Sequence, residues 1–289
     1  MKWADNQPRV NRIEAEAESD NIAYIRVLEK LEFVGRNDMR EDFYEAIFKR
    51  KSFHLFRGVD QDKITQDELA DIEKAYAGFD CLYPEIRTAI RIVPASKVNF
   101  KRDAEYCILI YSEEKDNYLT NAGYIGQQLD LYLVQHDIGS LWYGIGKPDM
   151  SDYNAMKFVI MIAIHKVNDQ SLYRKDMFKA KRKALQEVWS GDDPGIADVA
   201  RFSPSACNSQ PWYVENKDGI LTVYRYRKPG KIGIMPAKSV SYFNRIDMGI
   251  YLCILEICMN NKGIGFAREL FVDNGSDEEL TKVAQYTIQ

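Results

Sequence analysis

The sequence has few of the residues that build metal centres, and it has no long apolar segment. Its 289 residues include only three histidines and five scattered cysteines, and no two cysteines have the Cys-x-x-Cys spacing of zinc or iron–sulfur sites. The longest strongly apolar run, at 158–164, is far too short for a transmembrane helix. The sequence therefore predicts no metal site and no membrane partner.

A strong excess of charge of one sign is also missing. Lysine and arginine number 39 against 43 aspartates and glutamates, for a net charge of −4, which argues against a dedicated nucleic-acid binder. The basic run at 174–183 is the one feature that favours such binding, and no nucleic-acid-binding motif accompanies it. Because no charged and then apolar leader opens the chain, we expect a cytoplasmic protein.

Hydrophobic periodicity predicts a mixture of helices and strands, which indicates an α+β fold. The predicted helices lie at 42–50, 65–77, 123–135, 176–189 and 244–260, with a last one capped by residues 276–279. The predicted strands lie at 104–111, 157–167 and 265–272, with a hairpin formed by 212–215 and 220–226. The helix at 176–189 is expected to be basic and exposed.

A weak internal repeat and one break in the chain predict the domain organisation. The segments 126–129 and 249–252 each lie in a long helix that ends in glycine before an apolar strand. The sequence GDDPG at 191–195 separates the two. We predict a helical extension at 1–38, a first half at 39–190 and a second half at 191–289. The extension is either a docking arm or, as we favour, a segment without chemistry.

The most specific segment is RFSPSACNSQPW at 201–212, between a predicted helix and a predicted strand. Such a turn can present backbone N–H groups and short side chains to a flat polar ligand. A loop that only caps a helix and buries Trp212 explains the same composition equally well. The residues alone leave both interpretations open.

Three motifs together resemble the FMN-dependent nitroreductase family. The sequence PSACNSQPW at 204–212 resembles its flavin-contacting segment, and RKSFHLF at 50–56 resembles its phosphate-binding opening. The stretch 121–129, with IGSLWYG at 138–144, is similar to the helix and following strand of the family. The motifs at 50–56 and 204–212 are about a domain apart. This spacing resembles that of the single-chain, pseudo-dimeric branch of the family, in which two related halves with mixed or antiparallel sheets form one flavin site.

The resemblance implies how FMN would be held. A phosphate dianion needs cations and N–H donors, and fixed donors near the ring stabilise the charge left by hydride transfer. His54 stands where the family has arginine, and Ile145 where it has a second glycine. The run 181–183 is either a second phosphate-binding patch or a solvated basic surface. The implied FMN-binding residues are Arg50, Lys51, Ser52, His54, Trp142, Tyr143, Gly144, Ile145, Lys181, Arg182, Lys183, Pro204, Ser205, Ala206, Asn208 and Gln210.

The function that the resemblance implies is an FMN-dependent oxidoreductase without a catalytic side chain. NAD(P)H would pass hydride to FMN, and a nitroaromatic, a quinone or a similar small electrophile would then take the electrons. Reductive dehalogenation or biosynthetic ring oxidation on the same fold is an alternative, as is a flavin-binding sensor or docking protein without turnover. Because one chain would complete the site, we expect a monomer or a weak homodimer.

Overall fold

Two sheets with the same strand order form the frame of the protein. The computed structural model describes residues 39–59, 62–100 and 102–288, nearly all of them in the unit Glu41–Gln289, so the predicted extension at 1–38 lies outside the described residues. The first sheet contains β1 (Thr88–Pro94), β2 (Tyr106–Ser112), β3 (Ile138–Tyr143), β4 (Asp152–Tyr153) and β5 (Met156–Lys166). The second contains β6 (Trp189–Ser190), β7 (Trp212–Lys217), β8 (Ile220–Tyr226), β9 (Phe266–Leu270) and β10 (Leu280–Ile288).

The strand order is β1-β2-β5-β3 in the first sheet, with β4 on β5, and β6-β7-β8-β10-β9 in the second. All neighbours are antiparallel except β6 and β7. The order β7-β8-β10-β9 therefore repeats the order β1-β2-β5-β3. The predicted α+β class is confirmed, while the predicted boundary between the two halves stays a prediction.

Five helices accompany the sheets in the described ranges. They are α1 (Met39–Lys49), α2 (Gln66–Ala77), α3 (Tyr118–Gln135), α4 (Ala197–Ala200) and α5 (Ala237–Asn261). The start of α2 is the predicted capping box, in which the Thr65 hydroxyl accepts the Glu68 N–H and the Glu68 carboxylate accepts the Thr65 N–H. Every residue of α3 from Leu119 to Val134 is buried, so this helix lies at the centre of the core rather than on its surface.

The two long helices α3 and α5 cross at a reciprocal pair of glycines. A Cβ on Gly123 would lie 2.0 Å from the Ile246 carbonyl oxygen, and a Cβ on Gly249 would lie 1.9 Å from the Thr120 carbonyl oxygen. Each glycine meets the residue three positions before the other one, as in a two-fold interface. The crossing thus pairs Gly123 with Gly249, whereas the sequence repeat paired Gly126 with Gly249. The repeat is displaced by about one helical turn.

Replacing Gly249 by alanine is expected to lower the free energy of unfolding by about 2 kcal/mol or more, because the new Cβ would overlap a backbone carbonyl of the facing helix. Gly78→Ala is the matched control, since its Cβ would meet the nearest atom, the Ala75 carbonyl oxygen, at an ordinary 3.6 Å. Urea denaturation compares the two variants with the wild type. Equal unfolding midpoints would contradict the close crossing.

Two predicted helices are wrong. The stretch 176–189 contains two short 3₁₀ turns, Met177–Lys179 and Leu185–Glu187, and the first residue of β6, because the side chains of Arg182 and Lys183 are hydrogen-bonded to the loop before β7. The residues after the capping signal at 276–279 form β10, which pairs with both β8 and β9. Pairing on both sides overrides the local capping signal at that position.

The other predicted elements are present with shifted bounds. The predicted strands at 104–111, 157–167 and 265–272 correspond to β2, β5 and β9, and the predicted hairpin to β7 and β8. The helices at 123–135 and 244–260 begin earlier than predicted, at Tyr118 and Ala237. In the ranges that the structure describes, no helix combines the length and the apolar character needed to cross a membrane.

Candidate functional site

Three arginines line a cleft between the end of α1, the 174–182 segment and the loop before β7. The polar part of its wall consists of Arg50, Arg174, Arg182 and Ser203, and the rest of Ile47, Met177, Phe202, Pro204 and Ile254. The cleft encloses about 290 Å³, including space open to solvent. The enclosed part of this volume is small, so the cleft suits one end of a ligand rather than a whole one.

The positive charge of the cleft exceeds its negative charge. Arg50 pairs with the buried carboxylate of Asp130, whereas Arg174 donates its Nε–H to the Arg50 carbonyl oxygen at 3.0 Å. Arg182 donates to the Asn208 side-chain oxygen at 2.8 Å, and its buried Nε has no partner. Three guanidinium groups against one carboxylate leave a charge of +2, which matches a phosphate dianion.

Burial and mutual repulsion act on these guanidinium groups. Burial, and then the charge of Arg50, lowers the pKa of Arg174. Burial, followed by the charges of Arg174, Arg50 and Arg201, lowers the pKa of Arg182 to about 10. Both groups remain charged at neutral pH, but their charge is unfavourable in the protein without a ligand. An anion between them would relieve this repulsion.

Asp130, on α3, holds Arg50 in place. Its carboxylate, with no exposed surface, accepts hydrogen bonds from Arg50 Nε, Ser140 Oγ and Trp142 Nε1, the last at 3.1 Å. Because Nε is engaged, the Nη groups of Arg50 remain for other partners, and one lies 3.3 Å from Ser52 Oγ. A buried carboxylate needs such complete pairing.

The loop 203–210 is fixed by hydrogen bonds within it and by hydrogen bonds to Asp247 on α5. Ser205 Oγ accepts the Gln210 N–H at 3.0 Å. On α5, the buried Asp247 accepts the Ala206 N–H at 2.9 Å and the Ser209 O–H at 3.2 Å. Burial raises the pKa of Asp247 to about 7. The Asp247 carboxyl therefore supports the loop and titrates near neutral pH.

Trp212, which ends the 201–212 motif, fills the core. Its ring is fully buried and stacks on Tyr251 at 4.8 Å between centroids. The core interpretation of this tryptophan is confirmed, while the residues before it form the wall of the cleft. The ligand-binding interpretation of the rest of the motif stays a prediction.

The structure brings some of the predicted site residues together. Arg50, Arg182 and Pro204 line the cleft. Ser52 and Asn208 contact these arginines, and Trp142 joins them through Asp130. The two signatures near positions 50 and 204, far apart in sequence, therefore meet at one cleft.

Other predicted residues lie outside the cleft wall. Lys51 and Lys183 direct their ammonium groups to the carbonyl oxygens of Leu172 and Gln210. His54 is exposed, and Lys181 contributes its backbone carbonyl, which accepts from Asn208. The remaining predicted residues outside the wall are Tyr143, Gly144, Ile145, Ser205, Ala206 and Gln210.

Sequence reasoning missed Arg174, Ser203, Asp130 and Asp247. Arg174 belongs to the basic run that suggested nucleic-acid binding. The two aspartates carry a usable signal, because each stands between apolar residues in a long helix, as in Leu129-Asp130-Leu131. Acids at such positions are almost never fully buried without a partner, so each marks a polar site inside the core.

The raised pKa of Asp247 predicts a pH dependence of stability. The folded-state pKa of about 7 exceeds the ordinary value of 3.8, so this carboxyl favours folding below about pH 4 and loses that contribution as the pH rises to about 7. The loss corresponds to about 4 kcal/mol. Relative to Asp247→Asn, the wild type is therefore expected to lose stability between pH 4 and pH 8 in urea denaturation. A constant difference between the two proteins would contradict the burial of a titrating carboxyl.

Comparison with known proteins gives several structural matches. A structure described as a putative nitroreductase from Thermotoga maritima is 17% identical, with a TM-score of 0.55 over 86% of this chain and 94% of that one. A putative nitroreductase in complex with FMN from Desulfovibrio desulfuricans is 14% identical over 53% of this chain and 98% of that one, with a TM-score of 0.39. Iodotyrosine deiodinase bound to FMN and 3-iodo-L-tyrosine is 15% identical over 49% and 95%, with a TM-score of 0.34.

The first of these similarities shows the nitroreductase fold. No curated protein matches the chain. The sequence profile of the family described as "Putative TM nitroreductase" matches residues 42–259, which is more than half of the chain and includes the cleft residues from Arg50 to Ile254. The chain therefore belongs to this nitroreductase family.

Proposed function

We propose that the protein is an FMN-dependent oxidoreductase and that the cleft holds the phosphate group of FMN. The observation that carries the proposal is the cluster of three arginines against one carboxylate, with a buried Arg182 N–H that has no partner. The phosphate of FMN is close to a dianion at neutral pH, so its charge balances that of the cleft. Membership in the nitroreductase family supports the same cofactor.

The arginines have distinct parts in this proposal. Arg50, held at Nε by Asp130, would present its outer nitrogens as a preorganised fork, which is the geometry that suits phosphate oxygens. Arg174 and Arg182 would add donors from the 174–182 segment, and Ser203 also lines the cleft. Because these side chains are already ordered by protein contacts, little conformational entropy would be lost on binding.

The ring of FMN would lie outside the phosphate cleft, near Gly144 and Ile145, which the family resemblance assigns to flavin binding. Gly144, just after β3, packs closely against Phe243, since a Cβ on Gly144 would lie 2.6 Å from the Phe243 ring. Ile145 beside it is 59% exposed, so apolar surface is available at the end of β3 for a flat aromatic group. When bound, FMN supplies the redox chemistry, accepting hydride from NAD(P)H and passing electrons to a nitroaromatic, a quinone or a similar acceptor.

The test is an absorbance titration of the purified protein with FMN, followed by anaerobic addition of NADH or NADPH. We expect a bound flavin spectrum, bleaching by a reduced nicotinamide, and recovery of the colour over many cycles with a nitroaromatic or quinone. Protein that stays colourless with FMN would contradict the proposal. Bleaching without turnover would favour a sensor, and turnover with only halogenated acceptors would favour reductive dehalogenation. Bleaching of the flavin by a reduced ring compound, and not by NADH or NADPH, would favour ring oxidation.

The proposal also includes a monomeric, cytoplasmic enzyme with a small-molecule acceptor as its partner. One chain supplies both walls of the cleft, since Arg50 precedes the first sheet and Ser203 precedes β7 of the second. A second copy is therefore not needed to complete the phosphate site. Sedimentation of the FMN-bound protein at micromolar concentration is expected to give one monomer species that retains its flavin. Loss of flavin whenever the protein is monomeric would contradict this part.

A further inference from the structure

The carboxylate of Asp247 lies beneath the loop that forms one wall of the cleft. Its side chain is 3% exposed, and its two oxygens accept the Ala206 N–H and the Ser209 O–H. Ala206 is two residues from Pro204, which lines the cleft. Any change in the protonation of this carboxyl therefore acts directly on the support of the cleft wall.

The equivalent position in the first half holds an amide. Asn121, on α3, accepts the N–H groups of Leu82 and Tyr83 at 2.9 and 3.2 Å, and the loop of these residues precedes β1, the counterpart of β7. Asn121 and Asp247 each stand two residues before the glycine at the helix crossing, so the reciprocal crossing relates them. A neutral amide is thus sufficient to hold such a loop, and a buried carboxyl group is not required for support.

No cation balances the Asp247 carboxylate in the described part of the chain, where both of its donors are neutral. The cations on α5 and on the elements that pack against it have other surroundings: Arg225 pairs with Asp273, Arg245 donates to the Ser241 carbonyl oxygen, and Lys238 is exposed. The other titratable side chains on these elements are Tyr118, Tyr124, Asp130 and Tyr132 on α3, Asp198 on α4, Tyr224 and Tyr226 on β8, Cys207 in the loop, and Tyr242, Tyr251, Cys253, Glu256 and Cys258 on α5. The cleft is linked to Asp247 through the loop, since Arg182 donates to the Asn208 side-chain oxygen and the next residue, Ser209, donates to Asp247.

We propose that Asp247 is a proton-linked positioning residue that becomes more protonated, by uptake from solvent, when an anionic flavin phosphate binds in the cleft. The inference rests on the proposed FMN site. A bound phosphate cancels the positive potential of the arginines, which otherwise favours the ionised carboxylate, so the neutral acid becomes more stable. The protonated group still accepts the Ala206 N–H and can donate its own proton to Ser209 Oγ, so the loop stays supported.

The first test compares FMN affinity in the wild type and Asp247→Asn between pH 5.5 and pH 8.5. The titration of the FMN phosphate itself affects both proteins equally, so the ratio of their dissociation constants isolates Asp247. If binding raises the pKa of Asp247 by one unit, the ratio of the wild-type constant to that of the variant rises by up to about tenfold across this range. The change Asp247→Asn copies the amide that the first half uses, so the variant is expected to fold.

The second test needs only the wild type. FMN is added to weakly buffered protein at pH 7.5, and an indicator dye reports the proton flux. Phosphate that binds to cations can only release protons, so net uptake has to come from the protein, and we expect uptake.

The outcomes distinguish failure of the proton linkage at Asp247 from failure of the proposed FMN site. A pH-independent ratio with normal FMN binding, or net proton release, overturns the inference and leaves the FMN site standing. Failure of the wild type to bind FMN at any pH overturns both. If Asp247→Asn does not fold, the sign of the proton flux decides alone.

Discussion

Arg174→Ala is expected to weaken FMN binding by about 10- to 100-fold without destabilising the protein. The guanidinium of Arg174 lines the cleft, and its loss removes one charge-assisted interaction with the phosphate, worth about 1.5–3 kcal/mol. In the protein without ligand the same group is half-buried near Arg50, which lowers its pKa, so its removal relieves repulsion. Fluorescence titration with FMN and urea denaturation of the apo protein measure the two effects.

Lys181→Ala is the matched control for Arg174. Both cations lie in the basic stretch 174–183, but the Lys181 side chain is exposed and is not part of the cleft wall. Its removal is expected to leave the dissociation constant of FMN within about twofold of the wild type, as for a screened surface charge. Equal losses in the two variants would mean that a diffuse basic surface, rather than the arginine cleft, attracts the phosphate.

Asp130→Asn is expected to lower the free energy of unfolding by about 3–5 kcal/mol. The change leaves Arg50 buried without a counter-charge, and breaking one side of a buried ion pair costs this much because the remaining charge is uncompensated. The donors Ser140 and Trp142 also lose the carboxylate that they share. FMN binding is expected to weaken as well, because Arg50 is no longer oriented. Urea denaturation and FMN titration check the two effects.

Asp137→Asn is the matched control for Asp130. Asp137 pairs with Lys49 at 2.9 Å, but both side chains are about one-third exposed. Exposed pairs contribute about 0–1 kcal/mol, so the control is expected to shift the free energy of unfolding by less than 1 kcal/mol. Similar losses in the two variants would show that the Asp130 network has no special role in the stability of the core.

Local signals in the sequence were sufficient to predict the elements that are determined by neighbouring residues in the chain. The capping box at Thr65 starts α2 as predicted, and the hairpin of β7 and β8 follows its turn. The stretch 176–189 has the composition of a solvated helix, yet Arg182 and Lys183 are hydrogen-bonded to Asn208 and Gln210. Such partners, more than 25 residues away, leave no local signal, and this explains the wrong prediction.

The residues of the candidate site that belong to family motifs could be predicted from the sequence. The buried residues that support them could not, because their role depends on helix packing. The motifs brought Arg50 and Pro204 to attention, and the structure places both in one cleft. The support of these residues comes from α3 and α5, through Asp130 and Asp247. These acids are recognisable only once the two helices are known to be buried, because an aspartate on an exposed helix face needs no partner.

The most direct measurement of the central claim compares FMN with riboflavin, which lacks the phosphate, as ligands of the apo protein. If the arginine cleft holds the phosphate, the protein binds one FMN per chain about 100-fold or more tightly than riboflavin, and Arg174→Ala removes most of that difference. Equal affinities for the two flavins, or no binding of either, would contradict the account.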